Sequence, residues 1–352
     1  MEVNEDRLNS FMGKMLGDVG AAMNASLMLL GDKLGLYRAL AQNGPMDPAA
    51  LARTTGTTER YIREWLSAQA ASGYVEYDSA SGKFSMLPEQ AMALADEDSP
   101  VFLGAVGSLV SATFLDEPKI SEAFKTGKGV GWNKRSDCLF CGTARFFRTS
   151  YKHHLVQQWL PALDGVVDRL TRGAKVADVG CGHGVSTRLM AAAFPNSTFY
   201  GFDYHDGSIQ SARDLTREAG MSDRVRFDVH SAKTFPANGY DLVCFFDCLH
   251  DMGDPVGALK HTRSTMANDG ICMLVEPFAN DRLEDNFNPV GRVYYAASTM
   301  VCTPASLDQE VGLALGAQAG EARLRDVARQ GGFTRFRRAA ETPFNLILEA
   351  RP

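Results

Sequence analysis

The sequence lacks long hydrophobic runs, an excess of basic residues and a regular set of cysteines. Its longest apolar stretches, such as 242–246, fall far short of the roughly 18–20 residues that a membrane span needs. Its beginning has early acids and no basic segment before an apolar core, so we expect no signal peptide. A net charge of −6 gives no general attraction for nucleic acid or anionic membranes. Seven scattered cysteines form no disulfide framework, which predicts a cytoplasmic protein.

The first hundred residues have the outline of helices followed by a winged helix. Apolar residues recur at helical spacing from about residue 6 to 45. Asp47 and Pro48 then mark a helix start, and a second helix is predicted over about 59–71. Two short apolar runs flank the tetrapeptide Ser-Ala-Ser-Gly at 79–82, as in a β-hairpin. We therefore expect a helical, winged-helix-like domain over 1–98 and a further helical linker or lid region over 99–160.

From residue 174 onward, predicted strands alternate with predicted helices. Such alternation is typical of an α/β fold with a doubly wound, mostly parallel sheet and helices on both faces. We expect this third domain to cover 161–352. Its strands are predicted near 175–179, 198–203, 225–229, 240–246, 270–275 and 345–349.

A glycine-rich turn follows the first of these strands. Residues 178–184 have the sequence D-V-G-C-G-H-G, and a helix is predicted immediately behind them. The glycines allow a tight turn and leave room for a ligand against the backbone. Because Val185 follows the last glycine, the spacing differs from the dinucleotide pattern G-x-G-x-x-G. About twenty residues on, Asp203 ends the second strand, where an acid can accept hydrogen bonds from both ribose hydroxyls.

The chain resembles the class I S-adenosylmethionine-dependent methyltransferases, in particular two-domain bacterial and mycobacterial members with an N-terminal winged-helix domain. The turn at 178–184 matches the family's motif I, and the resemblance covers nearly the whole chain. It implies a Rossmann-like catalytic domain, S-adenosyl-L-methionine as methyl donor, and a homodimer joined through the N-terminal helices. The cofactor-binding residues that it implies are Asp178, Gly180, Cys181, Gly182, Gly184, Asp203, Tyr204, Ser231, Ala232, Phe246, Asp247 and a lid residue, Tyr151.

The candidate general base is His250, in the sequence Asp247-Cys-Leu-His-Asp251 after the fourth strand. An imidazole with an ordinary pKa of about 6.5 can take a proton from a hydroxyl or thiol near neutrality. His250 matches the histidine base of plant-type O-methyltransferases, whose His-Asp-Trp motif is His-Asp-Met here. Of the two carboxylates that orient that base, Glu276 matches one, and Gln318 stands in place of the other. Three roles stay open for His250: general base assisted by Asp251 and Glu276, ligand contact, or scaffold.

Aromatic residues are predicted to wall the acceptor site. They favour a small acceptor that is at least partly aromatic or apolar, although any one of them could instead pack the domains together. The residues proposed to bind substrate are Trp132, Phe147, Tyr294 and Tyr295.

The sequence leaves three other functions open. The C-x-x-C pair Cys138 and Cys141, with Cys248, could present thiolates to a soft acceptor such as trivalent arsenic. Alternatively, the winged helix could read DNA in a ligand-controlled regulator, but four basic against six acidic residues over 41–90 give a net charge of −2. We therefore expect this domain to serve dimerisation and pocket closure, with no nucleic-acid or membrane partner. A cofactor-binding protein without turnover is the remaining alternative.

Overall fold

The structure, a computed structural model, describes residues 3–352, which cluster into two compact units. One comprises the residues up to Phe114 with Ser136–Thr149, and the other Leu115–Arg135 with Ser150–Pro352. Residues 99–160, which the sequence analysis set apart as a linker or lid region, are thus shared between the two units. Across residues 3–352, no helix combines the length and the apolarity that a membrane crossing requires.

The first unit is a helical domain that contains the expected winged helix. Two helices of the predicted helix-turn-helix precede a two-stranded antiparallel hairpin. Asp47 caps the first of them, since its Oδ1 accepts a hydrogen bond of 2.7 Å from the Ala50 amide. The elements of this unit are α1 (Glu5–Lys33), α2 (Leu36–Asn43), α3 (Pro48–Thr55), α4 (Glu59–Ala71), β1 (Glu76–Asp78), β2 (Lys83–Ser85), α5 (Pro88–Leu94), the start of α6 (Val106–Thr126) and most of α7 (Asp137–Ser150).

Close packing joins the long α1 to the winged helix. The rings of Tyr37 and Trp65 meet edge to face with centroids 5.0 Å apart. A Cβ atom at position 31 would lie 2.5 Å from the Tyr37 ring, which is too close for van der Waals contact, so glycine fits there. The indole nitrogen of Trp65 donates a hydrogen bond of 2.9 Å to the Leu27 carbonyl, which fixes the register between α1 and α4.

The second unit is built on a seven-stranded sheet. Its order is β5-β4-β3-β6-β7-β9-β8; β3 to β7 pair in parallel, whereas β9 pairs antiparallel with both β7 and β8. The strands are β3 (Lys175–Val179), β4 (Thr198–Asp203), β5 (Val225–Val229), β6 (Tyr240–Phe246), β7 (Met266–Pro277), β8 (Arg335–Glu341) and β9 (Asn345–Arg351). The helices are α8 (Val166–Arg172), α9 (Val185–Ala193), α10 (Asp206–Glu218), α11 (Pro255–Thr265), α12 (Pro289–Ala297), α13 (Thr303–Leu307), α14 (Glu321–Gln330) and two π-helical segments, Tyr151–Trp159 and Ser298–Cys302.

The order of the strands locates the ligand crevice. From β3 the chain first adds β4 and β5 on one side and then returns to add β6 and β7 on the other. Ligands of open α/β sheets bind outside the carboxyl ends of the strands at such a reversal point. The ends of β3, β4, β6 and β7 carry Asp178, Asp203, Asp247 and Glu276, so four acids meet at this edge. The fold class expected from the sequence is confirmed.

Candidate active site

The glycine turn after β3 has a backbone that favours glycine. Gly180, Gly182 and Gly184 all have positive φ angles, of 75°, 50° and 67°. Side chains at Gly180 and Gly184 would clash with Cys248 and Phe227, whereas at Gly182 there is no heavy atom within 4 Å. The space beside Gly182 is the cradle that a ligand lying against the backbone needs. Two turn amides, those of Gly180 and Cys181, are held by the Phe202 carbonyl on β4.

Asp178 links the end of β3 to the first residues of α9. Its Oδ2 accepts hydrogen bonds of 2.6 Å from the hydroxyls of both Ser186 and Thr187 on α9, while its buried Oδ1 has no hydrogen-bond partner in the described structure. Burial raises the pKa of Asp178 to about 6, although the two hydroxyl donors oppose that rise. This residue therefore holds strand, turn and helix together and leaves one polar atom for a further donor.

Asp203 lies at the end of β4, facing the turn. Its Oδ2 accepts a hydrogen bond of 2.9 Å from the Gly182 amide, and its Oδ1 accepts one of 2.9 Å from the backbone amide of His205. Each carboxylate oxygen has a further lone pair, so two hydroxyls of a ribose can still be accepted. Burial raises the pKa of Asp203. The cradle beside Gly182 and this carboxylate fit the nucleoside part of S-adenosylmethionine.

The remaining residues predicted to contact the nucleoside are Tyr204, Ser231 and Ala232. Tyr204, directly after Asp203, has its hydroxyl hydrogen-bonded to the backbone of Trp132. Ser231 forms a local turn with Thr234, and Ala232 packs against the sheet's core. Trp132, expected in the acceptor wall, is therefore placed beside a cofactor candidate.

A hydrogen-bonded group surrounds Asp247 after β6. Its φ of 50° is unusual for a residue other than glycine. Oδ1 of Asp247 accepts a hydrogen bond of 2.7 Å from the side-chain NH₂ group of Asn345, and Oδ2 accepts one of 3.2 Å from the Tyr151 hydroxyl. Burial, followed by the nearby Glu276, raises the pKa of Asp247 to about 8. The Tyr151 ring also packs on Phe246 at a centroid distance of 5.3 Å, so both residues expected beside Asp247 are there.

His250 and Glu276 form the most direct pair in the site. Nδ1 of His250 lies 2.7 Å from Oε2 of Glu276, whose Oε1 accepts a hydrogen bond of 3.1 Å from the Leu249 amide. Nε2 lies 3.2 Å from Oδ1 of Asp251 without the geometry of a hydrogen bond. Because a carboxylate accepts at Nδ1, that nitrogen carries the proton of the neutral ring and Nε2 carries the lone pair.

The charges around His250 set its protonation. Burial alone would lower its pKa, but the carboxylates of Asp251 and Glu276 outweigh burial and hold the pKa well above its usual range. Burial raises the pKa of Asp251. The imidazole and its carboxylates therefore share protons as one group. Gln318 is not part of it, because its amide nitrogen donates to the Phe278 carbonyl at 3.0 Å.

The aromatic candidates fall on different parts of the chain. Tyr294 and Tyr295 lie on α12, and the Tyr294 hydroxyl donates a hydrogen bond of 2.8 Å to the Phe344 carbonyl. Tyr294 is close enough to Asp247 for that carboxylate, after burial, to raise its pKa. Phe147 lies on α7 in the first unit, edge to face with Phe146.

The three cysteines proposed to bind a soft acceptor belong to different units. Cys138 and Cys141 lie in the first turns of α7 in the first unit. Cys248 is in the second unit, where its Sγ donates to the Val179 carbonyl at 3.2 Å. Burial raises the pKa of the Cys248 thiol well above its ordinary value. This cysteine is therefore a protonated thiol near neutrality, which disfavours a thiolate role.

Three further residues lie beside the candidate site and are not predicted from the sequence. Asn345 at the start of β9, Cys302 at the end of a π-helical segment and the buried Arg135 all reach this edge of the sheet only through the fold. No local motif marks any of them.

Comparison with protein families matches both parts of the chain. Residues 170–320 match the methyltransferase domain family, and residues 22–96 match the Rv2258c-like winged HTH domain family. Acetylserotonin O-methyltransferase of Mus musculus is 25% identical over 94% of this chain and 86% of its own. An uncharacterized protein of Synechococcus is 28% identical over 28% of this chain, and the match spans only 24% of that protein's length.

Solved structures agree in fold. Human N-acetylserotonin methyltransferase in complex with S-adenosylmethionine superposes with a TM-score of 0.72 at 16% identity, covering 100% of this chain and 99% of that one. An O-methyltransferase from neocarzinostatin biosynthesis, in complex with S-adenosylmethionine and 2-hydroxy-5-methyl naphthoic acid, gives a TM-score of 0.60 at 18% identity over 94% and 96% of the two chains. Both structural relatives hold the cofactor that the turn at Gly182 and the carboxylate of Asp203 fit.

Proposed function

We propose that the chain, an S-adenosylmethionine-dependent methyltransferase, methylates a hydroxyl group of a small, largely aromatic or apolar acceptor. The observation that carries this proposal is the contact of 2.7 Å between His250 Nδ1 and Glu276. It leaves Nε2 as the basic nitrogen, which is what removal of a hydroxyl proton requires.

Bound S-adenosylmethionine supplies an electrophilic methyl group carried on a sulfonium. The chain must align the acceptor, exclude water and take up a proton. Glu276 fixes the ring through Nδ1 and stabilises the imidazolium that forms when Nε2 takes the acceptor's proton. Asp251, 3.2 Å from Nε2, stabilises the same positive charge.

The cofactor would be held at two places. The turn of Gly180, Gly182 and Gly184, with Cys181 inside it, would face the nucleoside, and Asp203 would accept from the ribose hydroxyls. Tyr204, Ser231 and Ala232 would border the adenine. Asp247, Phe246 and Tyr151 would border the methionine end, where Asp178 lies beneath the turn.

An aromatic or apolar acceptor is supported by the residues beside the carboxyl ends of the strands. Trp132, Tyr294 and Tyr295 belong to the same unit as His250, and Phe147 on α7 is the fourth candidate. The mouse relative is named for acetylserotonin, and the structural relative from neocarzinostatin biosynthesis holds a hydroxynaphthoic acid. Both of these acceptors are aromatic.

We also propose a homodimer joined through α1. Along this helix, large apolar side chains recur at intervals of three and four residues and stay exposed within the single chain. They are Leu8, Met12, Leu16, Val19 and Met23, at 46%, 56%, 75%, 49% and 70% exposure. A second copy would cover this stripe.

We propose that the first unit, through α1, serves this assembly and that its winged helix does not bind DNA. The exposed basic residues of α4 are each paired with an acid, Arg60 with Glu64 at 2.6 Å and Arg63 with Glu59 at 2.5 Å. Such pairs leave no net positive face for phosphates. A salt-sensitive shift of duplex DNA at sub-micromolar protein would contradict this assignment.

We infer a cytoplasmic location from the cysteines. All seven are free thiols, and five of them lie in the catalytic unit. Free thiols persist in reducing compartments. Fractionation of the source cells with an antibody against the chain tests this.

The reaction is tested by a screen of hydroxylated aromatic compounds, with release of S-adenosylhomocysteine as the signal and mass spectrometry of the product. We expect a mass gain of one methyl group on a hydroxyl oxygen. A product methylated only on nitrogen, sulfur or carbon would overturn the proposed acceptor group. Cofactor binding without release in the presence of any compound would support a protein without turnover.

A further inference from the structure

Next to the proposed base lies the thiol of Cys302, which the proposed methyl transfer does not use. One ring nitrogen of His250, a carboxylate oxygen of Asp251 and Sγ of Cys302 lie within 4.8 Å of one another, and all three residues are buried. We propose that these side chains bind a single soft divalent metal ion, represented by Zn²⁺, and that the bound ion inhibits methyl transfer. The inhibition rests on the proposed role of His250 as base, whereas metal binding does not.

The donor set suits zinc. Imidazole nitrogen, thiolate sulfur and carboxylate oxygen are its ordinary protein ligands, and three protein ligands leave the fourth tetrahedral position for water. A thiolate ligand selects against Mg²⁺ and Ca²⁺, which prefer oxygen. The cluster is therefore specific for soft ions rather than for any cation.

The orientation of His250 is that of a metal ligand. Histidines that bind metals usually donate their other ring N–H to a carboxylate, which fixes the tautomer and raises the basicity of the ligating nitrogen. Glu276 takes this place at 2.7 Å from Nδ1. The free Nε2 then faces Oδ1 of Asp251 at 3.2 Å.

A second, independent observation is an unsatisfied atom. Asp251 is buried, with 8% of its surface exposed. Its Oδ1 has no hydrogen-bond partner among the described residues. A buried carboxylate oxygen without a partner is costly. A cation held between this oxygen, Nε2 of His250 and Sγ of Cys302 would satisfy it.

The ligands come from two segments that are tied together. His250 and Asp251 lie in a 3-10 turn, and Cys302 ends the π-helical segment. Gln309 bridges to the first segment, since its amide donates to the Asp251 carbonyl at 2.9 Å and accepts from the Gly253 amide at 3.1 Å. The ligands are therefore held in place before an ion arrives.

Charged groups of both signs surround the cluster. Glu276 lies behind His250, and the buried guanidinium of Arg135 lies near Asp251 and Cys302, with Asp308 also facing that guanidinium. The thiol of Cys302 must release its proton to solvent when it binds the ion as a thiolate.

Inhibition follows from the shared nitrogen. A metal ion on Nε2 occupies the lone pair that would otherwise take the proton of the acceptor hydroxyl. The loss should therefore approach the effect of removing the imidazole, about 10²–10⁴-fold in turnover.

The binding test uses the full chain in a background with Cys138→Ser and Cys141→Ser, which removes the exposed C-x-x-C pair. Co²⁺ is titrated into protein freed of metal by a chelator. We expect one Co²⁺ per chain and a thiolate-to-cobalt charge-transfer band. Cys302→Ala and the closer mimic Cys302→Ser should abolish the band, whereas Cys272→Ala, at another buried cysteine, should keep it. No band in the background protein, or an equal band in both Cys302 variants, overturns the site. Calorimetry with S-adenosylhomocysteine verifies that each variant is folded.

The inhibition test adds Zn²⁺ to the same proteins during turnover. We expect the background protein to lose activity and Cys302→Ala to retain it at the same Zn²⁺ concentration. Activation by Zn²⁺, or equal inhibition of Cys302→Ala, overturns the inhibitory role. If His250→Ala keeps full turnover, the proposed base fails and the inhibition with it, while the cobalt titration still decides on the site.

Discussion

Glu276 at the end of β7 holds Nδ1 of His250 at 2.7 Å while its other oxygen accepts from the Leu249 amide at 3.1 Å. Because both oxygens of the carboxylate are engaged, the imidazole has one orientation and one favoured tautomer. The chemistry proposed for this site depends on that arrangement.

Glu276→Gln tests the tautomer directly. The glutamine oxygen can keep the bond from the Leu249 amide, but its NH₂ group would then face Nδ1 and favour the tautomer with the proton on Nε2. We expect turnover to fall at least about tenfold, with affinity for S-adenosylhomocysteine unchanged. His250→Ala should lose more, about 10²–10⁴-fold. Steady-state kinetics beside calorimetry measure both, and unchanged turnover in Glu276→Gln would remove the orienting role.

Variants of Asp203 and His250 distinguish cofactor binding from proton removal. We expect Asp203→Ala to weaken binding of S-adenosylhomocysteine by about 10²-fold, because hydrogen bonds to a charged group contribute about 1.5–3 kcal/mol each. His250→Ala should bind it as the wild type does. Since Asp203 also holds the Gly182 amide at 2.9 Å, Asp203→Asn serves as the milder variant that keeps one acceptor. Equal loss of affinity in Asp203→Ala and His250→Ala would make His250 a cofactor contact.

The sheet could be predicted from the sequence because most of its strands are largely buried apolar runs. The bounds expected for β3, β4, β5 and β6 coincide with the structure. The edge strand β8 was missed because its sequence, R-F-R-R-A-A-E, is charged and only partly buried, which is typical of an edge.

The site was predicted only where local motifs carry it. The glycine turn, Asp203 and the His250 segment follow strand ends, and Glu276 was found by resemblance. Asn345 and Cys302 approach Asp247 and His250 across 98 and roughly fifty residues of chain, so no spacing reveals them. The partner found beside Nε2 is Asp251, while Gln318 lies elsewhere.

Turnover should rise with pH. A histidine whose pKa is raised by Asp251 and Glu276 is protonated below that pKa and cannot accept a proton there. We therefore expect the logarithm of turnover to climb with pH, with its midpoint above the ordinary histidine pKa of about 6.5. Glu276→Gln should move the midpoint to lower pH because one of the carboxylates that raise the pKa is gone. A flat profile in the wild type would argue against a titrating base.

Asp247→Asn should stabilise the protein, and more so at higher pH. Burial raises the pKa of Asp247 from 3.8 to about 8, so the folded state holds a proton that the unfolded chain releases at lower pH. The stability that this proton gives is complete at low pH and is lost as pH rises from about 4 to 8. Asparagine stays neutral and tolerates the φ of 50°. We expect a gain on the order of 1–3 kcal/mol in the free energy of unfolding at pH 8 and less at pH 5. Exposed Asp214→Asn is the control without a gain.

A charge on the apolar stripe of α1 should break the proposed dimer. Leu16 is 75% exposed within the single chain, so Leu16→Glu costs the folded monomer little, but in a dimer it would bury a charge. Ala21 is also exposed and lies on the opposite side of the helix from Met12, so Ala21→Glu is the matched control. Sedimentation velocity should give a dimer for the wild type and Ala21→Glu, and a monomer for Leu16→Glu with unchanged helicity. A wild-type monomer at micromolar concentration, or a dimer that survives Leu16→Glu, would show that α1 is not the interface.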